Sequence, residues 1–195
     1  MNQNALSYMC FFTLAGCLAT ACWRDLISRR IPNWLVVGGA LLGLFLQITV
    51  EHGAGLFSMA QGGLGGQAAF TGCAVGILVL LPMYVMHALG AGDVKLMGMV
   101  GVFLGPAATL DAVVMTLLIG GILSVVIAAR FGVLQAAISN VRMVITQSVV
   151  RVMSSQRPVV AITPASAVSL PYAFAIAAGT LSEIVLSRAG HVLFA

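Results

Sequence analysis

Only five of the 195 residues are acidic, and two of them stand where packing has no need of a carboxylate. Asp25 falls in Trp23-Arg24-Asp25-Leu26-Ile27-Ser28-Arg29-Arg30-Ile31-Pro32-Asn33, at the end of one apolar run. Asp93 falls in Gly90-Ala91-Gly92-Asp93-Val94-Lys95, at the edge of another. An ionisable group beside apolar segments is expensive to desolvate, so it invites a functional explanation. Two carboxyls brought within a few ångströms cannot easily both ionise; they share a proton and titrate as a pair. Such a pair can take a proton from water with one member and hydrogen-bond a carbonyl with the other.

Each aspartate alone has a plain structural explanation. Gly90 and Gly92 permit a tight turn and close backbone approach, and an Asp opening a helix is stabilised by its free N–H groups and dipole. Lys95 serves as a topology marker, an ion-pair partner or a substrate contact. Asp25 is a solvated interfacial residue among Arg24, Arg29 and Arg30 in its plainest reading, with Pro32 and Asn33 opening the next helix.

The elements that position these residues are set by composition. With 61% hydrophobic residues, 7% charged and a mean hydropathy of +1.09, the chain reads as an all-α, polytopic integral membrane protein. Apolar runs near Leu6–Trp23, Ile31–Val50, Gln67–His87, Val94–Leu110, Ala112–Ala129 and Leu170–Leu186 give about six transmembrane helices in a single membrane-embedded domain over 1–195. Gly105-Pro106 interrupts the fourth run. With the N-terminus outside, Arg24, Arg29, Arg30, Lys95, Arg130, Arg142, Arg151 and Arg157 share one face and only Arg188 lies on the other. That excess marks the first face as cytoplasmic and puts Asp25 and Asp93 together on it. Glu51 and Asp111 are expected on the outer face, and Glu183 in or near the last span. The net charge of +4 is spread along the chain, so no nucleic-acid partner is expected; the bilayer is the partner. Glu51–Gln67 reads as a flexible outer loop or a shallow re-entrant turn. Phe131–Met153 reads as an amphipathic or connecting helix, and Ser154–Ser169 as a polar linker.

Asp25 with Ile31-Pro32-Asn33, followed by Gly90-Ala91-Gly92-Asp93-Val94-Lys95-Leu96, resembles the prepilin peptidase family, membrane aspartic proteases of the GxGD type. Gly101-Val102-Phe103-Leu104-Gly105 is similar to the glycine-spaced helix after that family's second aspartate, and Leu170-Pro171-Tyr172-Ala173-Phe174-Ala175 to its last helix. The resemblance implies an enzyme that cuts leader peptides from type IV prepilins and pseudopilins at the cytoplasmic face of the inner membrane. It also implies pilus-assembly or secretion machinery as further partners. Asp25 and Asp93 match the two catalytic aspartates, and Gly90, Gly92 and Lys95 the rest of the second motif, with Pro32 and Asn33 beside the first. Larger members carry a cytoplasmic region with paired CxxC motifs and methylate the product. This chain has no CxxC and resembles the short, peptidase-only form of tight-adherence (Flp-type) pilus systems, so methyl transfer is not expected of it.

No cofactor or metal is expected: Cys10, Cys17, Cys22 and Cys73 form no ligand spacing, and His52 and His191 lack partners; His87, near the face of Asp93, reads as an interfacial histidine at a helix end, with tuning of the acid pair as the alternative. Met83, Met86, Met97 and Met99 suit packing, as Gly98 and Gly101 suit close helix contacts. The competing reading is a non-enzymatic membrane scaffold or small transporter. A transporter places ionisable groups near the bilayer midplane, unlike Asp25 and Asp93.

Overall fold

The computed structural model describes residues 3–49, 53, 55–57, 62–86, 88–130, 132, 135, 139 and 172–189. Its elements are helices α1 (Gln3–Ser28), α2 (Asn33–Thr49), α3 (Gly65–Val85), α4 (Ala91–Leu104), α5 (Pro106–Arg130) and α6 (Tyr172–Arg188). The all-helical expectation is met. Three helices, Tyr8–Ser28 within α1, Gly65–Val85 and Pro106–Arg130, are long and apolar enough to cross a membrane. The Phe131–Met153 stretch, the Ser154–Ser169 linker, His52, His87 and His191 lie outside the residues described in any useful number. The chain divides into two compact units, one of Met1–Gly120 with Pro171–Ala195 and one of Gly121–Leu170. The first carries everything that follows.

The expected fourth span is not one helix. Gly105 takes φ of +79°, a left-handed conformation that ends α4 at Leu104, and Pro106 opens α5 at a position where its missing N–H costs nothing. Fourteen residues rise only about 21 Å, well short of a bilayer core of about 30 Å. From Leu96 to Leu104 every residue of α4 is buried. Such all-round burial marks a helix enclosed by its neighbours, here α3, α2, α6 and α1. Asp111 therefore lies in the second turn of α5, fully buried.

Glycines set the packing against α4. A Cβ at Gly72 would collide with the Gly101 carbonyl, one at Gly101 with the Gly72 carbonyl, and one at Gly76 would meet Met97 O at 2.6 Å. The α3 and α4 backbones thus touch directly, as small-residue helix contacts allow. On the α2 side, Gly43 leaves room for the Phe103 ring and Gly39 for Met99. Buried Gln47 closes the far end of α4. Its Nε2 donates to the carbonyls of Val102 (3.3 Å) and Phe103 (3.0 Å), and its Oε1 accepts from Leu64 N–H (2.8 Å), ahead of α3. Helix-end carbonyls and N–H groups that would otherwise be orphaned are satisfied by one amide. Among the described residues ahead of α3, Gly62 N–H donates to Gly55 O (3.1 Å), and Leu56 and Phe57 are buried. Phe12, Trp23, Leu41, Phe45 and Phe70 project outward instead, an apolar exterior that suits lipid.

Candidate active site

Asp25 sits in the last turn of α1. The turn closes with Arg29 N–H donating to Asp25 O (3.0 Å) while Arg29 takes φ of 50°. A carboxylate at a helix C-terminus faces the negative end of that helix dipole, so it needs another source of stabilisation. The first turn of α6 supplies one: Ala173 N–H donates to Asp25 Oδ2 at 3.3 Å. The Cys22 thiol, one turn earlier on α1, donates to Ala173 O at 3.4 Å and fixes the two helix ends together.

Asp93 is the third residue of α4. Its Oδ2 accepts the Gly90 N–H at 3.2 Å, the reach-back of a helix-opening acid. Gly90 is extended (φ −77°, ψ 151°) and Gly92 lies inside α4, so neither glycine is there for a special backbone turn. They are there for space. A Cβ on Gly90 would crowd Asp93 Oδ2 at 3.2 Å, and one on Gly92 would press on Ile31 Cβ at 3.3 Å.

That second contact joins the two sequence motifs. Ile31, from the first, packs on Gly92 of the second, and Lys95 Nζ donates to Asn33 Oδ1 at 3.1 Å. Lys95 thus acts as a bridge to α2. Pro32 accepts the Leu35 N–H on its carbonyl (3.1 Å) and starts α2. Burial pushes the Asp93 carboxyl up from its ordinary value to about 6; the Asp25 charge adds to this, and the Gly90 N–H opposes it. Asp25 and Asp93, 68 positions apart in the chain, are therefore electrostatic neighbours.

Two further contributors come from the Leu170–Ala175 stretch, to which the sequence assigned no site role. Ala173 acts through its backbone N–H, and Tyr172, also at the start of α6, senses the Asp93 charge. The Tyr172 ring lies against Gly120, where a Cβ would meet it at 3.0 Å. Among the described residues no group of three or more potential metal ligands occurs.

No curated protein and no solved structure matches the chain. A family model does match, over residues 12–128, which include both aspartates, both motifs and the α3–α4 pair. With more than half of its length matched, the chain belongs to the type IV leader peptidase family.

Proposed function

We propose that this protein is a membrane aspartic endopeptidase that removes the leader from type IV (Flp-like) prepilins and pseudopilins at the cytoplasmic face of the inner membrane, with Asp25 and Asp93 as its catalytic residues. The observation that carries the reading is the bridging of the two motifs, Ile31 on Gly92 and Lys95 on Asn33, around two carboxyls that feel each other's charge. A scaffold has no use for that arrangement.

Chemistry follows from the surroundings of each acid. Asp93, raised to about 6, is the member that holds the shared proton. Asp25 Oδ2 accepts the Ala173 N–H, which fixes the direction of the carboxylate that serves as the base. Asp25 takes a proton from water as the water oxygen bonds to the scissile carbonyl carbon. Asp93 hydrogen-bonds the carbonyl oxygen as charge builds there. The tetrahedral intermediate then collapses, the C–N bond breaks and the leaving nitrogen is protonated by the pair.

The test is cleavage of a leader-bearing pilin peptide by the purified protein in lipid, with the products identified by mass. We expect a single cut at the leader junction by the wild type and none by Asp93→Asn. An Asp93→Asn protein that still inserts and cuts at the wild-type rate would remove the proposal.

A further inference from the structure

A cavity of about 470 Å³ runs between α2 and α3 and takes no part in the chemistry above. Its floor is Met99 and Val102 of α4, both buried, and its walls include Val36 and Leu44 of α2 and Phe70 and Ile77 of α3. The lining is almost wholly apolar. Its strongest polar groups, Asn33 and Lys95, meet at one end through their 3.1 Å hydrogen bond. From there α2 and α4 run side by side, with Gly39 over Met99 and Gly43 over Phe103, so the space passes from a polar mouth to an apolar end near Leu44 and Val102. Lys95 stands about 200° around α4 from Asp93. The cavity and the acids therefore occupy different sides of that helix, Asp93 toward Asp25 of α1 and Lys95 toward α2.

The mouth has the marks of headgroup depth. The chain's two tryptophans, Trp23 and Trp34, stand at this end and are each 65% exposed, and Arg24, Arg29 and Arg30 are exposed beside them. Exposed tryptophans gather at the membrane–water interface, and clustered Arg and Lys attract anionic lipid. From Asn33 to Leu44, α2 rises about 16 Å, close to half of a hydrocarbon core of about 30 Å. A transmembrane helix does not fit this space, since a cylinder about 10 Å across fills roughly 1,200 Å³ over that length. A single hydrocarbon chain does, and the volume is that of a small-molecule site, about 300–1,000 Å³ with few polar groups. Asn33 engages one of the three N–H donors of the exposed Lys95 ammonium, which can also meet a phosphate.

We propose that the α2–α3 cavity binds one acyl chain of an anionic phospholipid, with Lys95 holding its phosphate. The chain fills the space over Met99 and Val102. The phosphate lies on the bridge that ties the two motifs together, so lipid charge reaches the α2–α4 joint without entering the acid site.

The test places the full-length protein in phosphatidylcholine nanodiscs with a trace of phosphatidylglycerol carrying a diazirine near the end of its acyl chain. After irradiation, the labelled residues are mapped by mass. We expect labelling concentrated on Leu41, Leu44 and Phe70, and lowered about fivefold or more by excess phosphatidylglycerol but not by added phosphatidylcholine. Lys95→Gln should abolish that headgroup preference and Lys95→Arg should keep it. Ala40→Phe, which fills the cavity from α2, should lower labelling at Leu44 and leave labelling at Phe12 of α1 unchanged. Even labelling of Phe12 and the cavity wall, equal competition by phosphatidylcholine, an unchanged preference in Lys95→Gln, or displacement by an apolar helical peptide instead of lipid overturns the proposal. Labelling is read without cleavage, so this inference and the proposed function fail separately.

Discussion

Two acid pairs share one helical unit, and their surroundings differ in kind. Asp25 and Asp93 lie at helix ends, partly exposed, each with a backbone N–H turned toward it. Asp111 and Glu183 lie fully inside, and the Glu183 oxygens face only a small, mostly apolar cavity. The first setting keeps water and substrate within reach and stabilises charge where a reaction needs it. The second excludes both. Donors and access to water, more than burial, suit a pair of carboxyls to reaction.

The largest effect that would break this contrast is at the first pair. Asp25→Asn and Asp93→Asn should each lower cleavage by on the order of 10³-fold or more, and the double variant should be no worse, because residues acting as a unit are not additive. Peptide cleavage rates in lipid measure this, and additive losses would divide the pair into independent groups. Next comes the backbone seam that positions Asp93. Gly101→Val should cost about 1–3 kcal/mol by overpacking, seen as a lower thermal midpoint, whereas Gly38→Ala on α2, with nothing within 4 Å, should be neutral or slightly stabilising.

A smaller effect separates the pairs by pH. Since the folded chain holds the Asp93 proton up to about 6, kcat/KM should fall as pH rises past that value, toward tenfold per unit. The same shift has a sign for stability. The folded state binds more protons than the unfolded one between the ordinary carboxylate range and about pH 6, so rising pH destabilises through that window. Asp93→Asn should therefore match the wild type in acid and exceed it in thermal midpoint above about pH 6. The smallest change is expected from Lys95→Gln, which removes the charge from an exposed hydrogen bond to Asn33 and should alter cleavage by roughly threefold to tenfold.

Asp25 and Asp93 stand out in the sequence because each lies in a short contiguous motif, and charge asymmetry leads one to expect both on one side. The contacts that join the motifs were not legible, since Asn33 and Lys95 are 62 positions apart and neither residue type announces its partner. The role of α6 was hidden for another reason: a backbone N–H at Ala173 has no side-chain signature. The reading of Asp111 as lying between two spans, where the structure has it within α5, follows from run length alone. The Gly105-Pro106 break was visible, yet apolar residues continue past it to Leu110, so the start of α5 was counted as the end of the preceding span. That α4 is an enclosed helix could not be read from hydropathy either, because lipid and protein interior select the same side chains.

The α3–α4 seam has a consequence for how this chain can vary. Around the outside, Leu, Ile, Val and Phe face an apolar solvent that asks little about shape, and one can replace another. At Gly72 and Gly101 the neighbouring carbonyl occupies the place of the first side-chain atom. The mildest substitution in the genetic repertoire, one methyl for one hydrogen, is there among the most disruptive, so the boundary of tolerated change runs along the backbone beneath Asp93 and not through the chemistry of the acid itself.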